Sequence, residues 1–199
     1  MTVRFIDQRT DHIVFPEPFE EAPSQNVMSN GGTNAPPAGA LFVNPLLAPS
    51  TLSWDVRLPF NHHVEHWTQA QRAKLAESAT LPPMTRLEIQ SPQLPWRIRI
   101  RPGAPGLFVS VHDVLYTIQE VLDFQITWRE WELFRDATKS LVLVAKDARI
   151  QSCHPGRRLD ERFKHPRRID SLGGSTRFAG LTPATRRARN SLDLEFRQG

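Results

Sequence analysis

Leu94-Pro95-Trp96-Arg97-Ile98-Arg99-Ile100 decides the fold class. Trp96, Ile98 and Ile100 alternate with Arg97, Arg99 and Arg101, the period of a strand with one buried and one wet face. The same period recurs on both sides of this stretch. Leu52, Trp54, Val56 and Leu58 alternate with Ser53, Asp55 and Arg57; Leu87 and Ile89 with Arg86, Glu88 and Gln90; Leu192, Leu194 and Phe196 with Asp193, Glu195 and Arg197. Repeated half-buried strands imply a mainly antiparallel sheet with one solvated face. Leu107–Val111, after the Pro102–Gly106 turn, reads as a further strand, which brings the sheet to about five.

Helical signals are interleaved with these strands. Thr68 and Gln71 form a capping box for a short helix that Pro82-Pro83 prevents from continuing. Ser110 with Asp113 caps a helix running to Phe124, with Val114, Leu115, Ile118, Val121 and Leu122 on its inner face. Thr127 with Glu130 opens a longer helix in which Trp131, Phe134, Thr138, Leu141, Val142 and Ala145 keep helical spacing. The expectation is an α+β fold, with two amphipathic helices on one face of the sheet. Strand, turn, strand and helix from Trp96 to Phe124 is also the order in which a β-grasp opens.

Residues 1–40 read as a flexible N-terminal tail: Ser29–Gly39 cannot bury enough apolar surface to offset chain entropy. Within it, Ile13-Val14-Phe15-Pro16-Glu17-Pro18-Phe19 is the one apolar knot. Residues 41–199 form the single α+β domain, its basic C-terminal region partly loop over 154–190. The 17 prolines against 10 glycines fit stiff corners, not an elastic repeat. Cys153 is the only cysteine, so no internal disulfide forms, and a reducing, intracellular location, cytoplasmic or nuclear, is expected. The start, Met-Thr-Val-Arg-Phe-Ile-Asp-Gln-Arg, lacks the apolar core of a signal peptide, and no stretch has the length of a membrane span.

The net charge of +4 is unevenly spread. Between 150 and 199, 11 Lys and Arg face 5 Asp and Glu, a net of +6, which leaves −2 in the first 149 residues. Arg157, Arg158, Arg167 and Arg168 are the anion-binding candidates, with Arg186-Arg187-Ala188-Arg189 further on. The row Arg97, Arg99, Arg101 would contact an acidic partner, or pair with Asp55, Glu88, Asp193 or Glu195 on neighbouring strands. Trp54 and Trp96 occupy apolar strand positions and belong to the core. Trp128 stands at a helix start, and beside Phe124 it would make a protein-binding patch.

Constellations of catalytic type are sparse. His62 and His66, with Glu65 between them, are the only metal-ligand candidates, and no second cluster at defined spacing completes a site. Cys153-His154 are adjacent and need not meet as thiolate and base. Gly173-Gly174-Ser175-Thr176-Arg177 lacks the Lys-Ser/Thr ending of a phosphate loop. No cofactor is implied.

Six short motifs occur in a defined order: Asn44-Pro45-Leu46-Leu47, Leu52-Ser53-Trp54-Asp55, Ala79-Thr80-Leu81-Pro82-Pro83, Leu94-Pro95-Trp96-Arg97-Ile98, Val111-His112-Asp113-Val114-Leu115 and Arg177-Phe178-Ala179-Gly180-Leu181. In order and spacing, over about residues 44 to 197, they resemble a fungal domain family of unknown function, abundant in mushroom-forming basidiomycetes. The resemblance implies a fungal source and one domain; it carries no activity, ligand or catalytic residue. The His62–Ser78 stretch looks longer than the family pattern.

These readings lead to a non-enzymatic adaptor or scaffold domain that engages a protein partner through Arg97, Arg99, Arg101, Trp128 and Phe124. The alternative is a nucleic-acid-associated protein that binds phosphates through its strand arginines and C-terminal basic clusters. An enzyme would have to recruit His62, His66, His112, Asp113 or Asp55 in a cleft. Oligomeric state is not legible.

Overall fold

The computed structural model describes residues 13–14, 40–103, 108–184 and 190–198. The rest of the expected N-terminal tail, Leu107 and Arg186–Arg189 lie outside the described residues. Among the described residues, eight strands form two sheets. The larger has the order β1 (Ile13–Val14), β6 (Arg97–Ile100), β5 (Leu87–Gln90), β8 (Ser191–Arg197), β7 (Arg177–Pro183), β3 (Trp54–Asp55). The smaller pairs β2 (Phe42–Val43) with β4 (Thr80–Leu81).

The α+β class holds, but the sheet is mixed, not mainly antiparallel. At its centre β5 and β8 run parallel, with Ile89 opposite Leu192, while the other neighbours pair antiparallel. Alternation fixes which face a side chain takes but not strand direction, so the parallel pair has no signature in period two. Direction follows from β7, which returns as an antiparallel partner of β8 on its other flank. β7 itself carries no alternation, because Phe178, Ala179, Gly180 and Leu181 are all buried. A register shift lies between Phe178 and Gly180, and Gly180 has φ +122°. A Cβ there would stand 2.5 Å from the Pro49 Cα, so the close approach of these two backbones requires glycine.

Along β5, β6 and β8 the expected faces are observed. Leu87, Ile89, Ile98, Ile100, Leu192, Leu194 and Phe196 are buried; Glu88, Gln90, Arg97, Arg99 and Asp193 are half-buried opposite them, and Glu195 is exposed. The first expected strand shrinks to Trp54–Asp55, because the chain turns after Val56 and the Leu58 amide donates to the Asp55 carbonyl at 2.9 Å. Leu58 is thereby exposed. Val109–Ser110 forms no strand: the Val109 amide bonds the Met84 carbonyl and only an isolated bridge joins Ser110 to Ser78. The hairpin before the helix is therefore β5–β6, not the Trp96–Val111 hairpin expected for a β-grasp order.

Helix α3 (Val111–Asp123) begins where the capping box places it: Ser110 Oγ accepts from the Asp113 amide at 3.1 Å, and Asp113 accepts from the Ser110 amide at 2.9 Å. It packs on β6 and buries Val111, Val114, Leu115, Thr117, Ile118, Val121 and Leu122. Helix α1 (Phe60–Val64) is tied to α3 by the Phe60 amide donating to Gln119 Oε1 at 2.9 Å. Thr68 and Gln71 cap the short α2 (Gln69–Ala73) as expected.

The longer helix expected after Thr127 is two helices. α4 (Trp128–Leu133) ends at Phe134, and α5 (Asp136–Ser152) starts afresh. Phe134 leaves helical geometry and buries its ring between Trp96, at 6.3 Å, and Trp131, at 6.2 Å, so an aromatic contact with the sheet overrides local helix preference. α5 does not lie on the sheet face as expected; it packs on a 3-10 turn (Arg168–Leu172) and on α6 (Pro155–Phe163). The stretch expected to be partly loop thus holds α6, that turn and β7.

Candidate functional site

The helical layer is fastened by charges. α5 buries only Val142 and Ile150 among its seventeen residues. Its Arg149 donates to both Asp170 oxygens, at 2.8 and 2.9 Å, and to Glu161 at 2.8 Å. Arg167 and Lys164 also donate to Glu161. The Lys164 hydrogen bond, joined by Arg149 and the charge of Arg167, overcomes the cost of burial and holds the Glu161 carboxyl at about 2. Burial opposes the Arg149 charge, but Asp170 and Glu161 outweigh it and raise its pKa. Nearer the sheet, Arg168 is 3% exposed and meets the fully buried Glu130 at 2.7 Å, its guanidinium lying 5.2 Å from the Trp96 ring and 5.5 Å from Phe124.

A groove of about 760 Å³ runs along α5. Leu141, Val144, Ala145 and Ala148 line it from the helix, with Leu58 and Ile169 also contributing. Leu141 is 64% and Val144 67% exposed. The charged groups around it are already partnered: Asp55 with Arg57, Arg149 with Asp170, and Arg167 with Asp123. Burial raises the Asp55 carboxyl, but the Arg57 hydrogen bonds more than compensate and hold it below its usual range. The arrangement offers apolar contact without an unpaired charge, which suits a protein segment better than an ionic ligand.

The residues singled out in the sequence scatter over the fold. Arg97 and Arg99 both reach Glu88, at 3.0 and 3.9 Å, on the wet sheet face, and Arg101 is exposed past the end of β6. Trp128 is 71% exposed at the start of α4, whereas Phe124 is half-buried beneath Arg168. Of the anion-binding candidates, Arg168 is interior, Arg167 is held by Asp123 and Glu161, and Arg158 donates to the Gln151 and Cys153 carbonyls at the end of α5. Arg157 is exposed on α6.

The candidates for chemistry have separate structural partners. Asp113 caps α3, Asp55 holds Arg57, and His112 stacks on Tyr116 at 5.8 Å. His62 and His66 are exposed, His66 beyond the end of α1. His154 Nδ1 accepts from the Gly156 amide and caps α6. Among the described residues no group of three or more His, Cys, Asp and Glu side chains is placed to hold a metal ion.

Sequence reasoning missed the groove. The inner face expected from Trp131 onward includes Leu141, Val142 and Ala145, but the break at Phe134 restarts the helix, and of these three only Val142 is buried, together with Ile150. The separation of Leu141, Val144, Ala145, Ala148 and Ser152 by three and four residues was the available signal.

No curated protein and no solved structure matches the chain. Residues 52–190, more than half of its length, match a family described as a family of unknown function (DUF6699), and the chain belongs to that family.

Proposed function

We propose that this protein is a non-enzymatic interaction module that engages a protein partner through its helical layer. The observation that carries this reading is the concentration of exposed apolar side chains there. Trp128, Leu133, Leu141, Leu143, Val144, Leu159 and Phe163 all lie on α4, α5 and α6, and Phe163 is 82% exposed. Beneath them the charges are consumed by internal pairs. Exposed apolar side chains above a satisfied ionic layer are the composition of a docking face, not of a catalytic cleft.

The test is site-directed photo-crosslinking in the source cells, with the reactive group in place of Trp128 or Phe163 and, as control, in place of Glu195 on the wet sheet face. The expected result is one discrete partner from the helical positions, lost in Phe163→Asp while the melting temperature is unchanged. Equal yields from all three positions would refute this surface. The alternative reading, phosphate binding by the basic C-terminal region, is supported by the exposure of Arg157 and Arg158, two of the four arginines proposed for that region. It predicts binding to single- or double-stranded nucleic acid that weakens steeply with salt.

A further inference from the structure

We propose that the cavity between α1, α2 and the loop 46–53 is a binding site for a small bicyclic aromatic carboxylate. The inference goes beyond the partner reading above and rests on no residue used there. The cavity measures about 340 Å³, within the range of small-molecule sites. That is a little over twice the apolar volume of about 150 Å³ that holds a benzene ring, which sets the occupant's body at two fused rings. Leu46 and Leu52 line the cavity with aliphatic surface, and His63 and Trp67 give it an aromatic wall. The His63 and Trp67 rings meet edge to face at 5.9 Å, and Phe60 holds both, 6.2 Å from His63 and 6.4 Å from Trp67. Phe60 is itself buried, and its amide is tied to Gln119 of α3, so the wall stands in place before a ligand arrives. A flat ring gains from such a wall by stacking or edge-on contact, which an alkyl chain does not.

The polar groups of the cavity are open to a ligand. Among the described residues, Thr51 Oγ1, the His63 ring nitrogens, Trp67 Nε1 and Lys74 Nζ have no hydrogen-bond or ion-pair partner. Burial lowers the His63 pKa, so the ring is neutral at neutral pH and offers one donor and one acceptor. Among the described residues no carboxylate lines the cavity. Glu77, three residues beyond Lys74, instead accepts from Asn44 Nδ2 at 3.3 Å, and Arg177 donates to Ser53 Oγ at the rim at 3.2 Å. An ammonium without a counter-charge beside an apolar cavity selects an anion. Thr51, Ser53 and Lys74 are exposed whereas Leu52 is buried, so the rings enter the cavity and the carboxylate stays at its wet mouth.

Titrating the full chain with 2-naphthoate and following the Trp67 indole N–H and the His63 ring by NMR tests this, with Trp67→Phe used to assign the indole signal. The expected result is a set of saturable shifts centred on these two residues, with a dissociation constant of about 1 mM or below, as a ligand of this size reaches. Lys74→Glu, at an exposed position, should weaken binding about fivefold, since an attraction is lost and a repulsion gained. Uncharged 2-naphthamide should bind more weakly than the carboxylate and be indifferent to Lys74→Glu. Thr51→Trp, which fills the mouth, should abolish the shifts from both probes with the melting temperature unchanged; should that variant fail to fold, Lys74→Glu decides the matter. Absence of saturation up to about 10 mM overturns the proposal. So does a carboxylate affinity that ignores Lys74→Glu, an amide that binds as well as the carboxylate, or a set of shifts centred on Leu141 and Val144 in the α5 groove. Partner capture through Phe163 is unaffected by any of these results, so the two readings fail independently.

Discussion

α3 and α5 are separated in the chain only by the short α4 and are comparable in length, yet they are attached in opposite ways. α3 buries seven of its thirteen residues in the core beside β6. α5 buries two of seventeen and is held by Arg149 through Asp170 and Glu161. An apolar attachment spends a helix's hydrophobic face on the fold, whereas an ionic one leaves that face available. The difference explains why α5, and not α3, presents leucine and valine to solvent, and it divides the molecule into a sealed sheet half and a helical layer with surface to offer.

The sheet half should be the less forgiving. Trp54 is fully buried, stacks edge-on against Phe60 at 5.2 Å, and donates its indole N–H to the Leu58 carbonyl at 3.0 Å. Trp54→Ala is expected to cost about 4 kcal/mol and to lower the global unfolding midpoint in denaturant. Loss of only local structure would mean that the core does not run through β3.

Next comes the joint between the halves. Glu130→Ala leaves the Arg168 charge buried without its carboxylate and is expected to cost about 3 kcal/mol, with Trp96 fluorescence reporting the disturbance. Replacing both partners by apolar residues of similar volume, Glu130→Leu with Arg168→Met, should recover much of that loss. If the single and double variants are equally destabilised, the pair contributes shape and not charge.

Acid should separate the halves. The Glu161 carboxyl is depressed from an ordinary 4.5 to about 2 by Lys164, Arg149 and Arg167. A carboxylate whose folded pKa lies below its unfolded one contributes stability that is complete above the unfolded value and is lost as pH falls toward the folded one. Amide protection in α5 and α6 is therefore expected to decline between pH 4.5 and 2, ahead of protection in β5 and β8. Glu161→Gln should remove that acid step; simultaneous loss in helices and strands at every pH would erase the distinction drawn here.

The smallest effect belongs to the cap. Ser110→Ala removes the acceptor for the Asp113 amide and is expected to cost about 1 kcal/mol, read as a small shift in thermal midpoint. The same change at Thr127 should fray α4 with less effect on the whole, because that helix spans only Trp128–Leu133.

The features legible beforehand were those set by neighbours in the chain. The three capping boxes at Thr68, Ser110 and Thr127 stand where their spacing puts them, since both partners of each hydrogen bond lie within one turn. The inward faces of β5, β6 and β8, and the burial of Trp54 and Trp96, follow from alternation. The groove was not legible, because its phase depends on where α5 begins, and that start is set by Phe134 docking on Trp96 far away in sequence. α6 escaped notice for a related reason: its two large apolar residues, Leu159 and Phe163, face solvent, so no buried stripe announces it.

The sequence by itself determined the α+β class, the two faces of its strands and the starts of its capped helices, all consequences of local sterics and hydrogen bonds. Tertiary structure alone decided the parallel pairing of β5 with β8, the break between α4 and α5, and the fate of the arginines. Arg168 reads as a surface cation in the chain and becomes a core residue because Glu130 waits for it thirty-eight positions away. A charge is exposed or buried according to what the rest of the fold places against it, and that is a property of the folded chain, not of the residue.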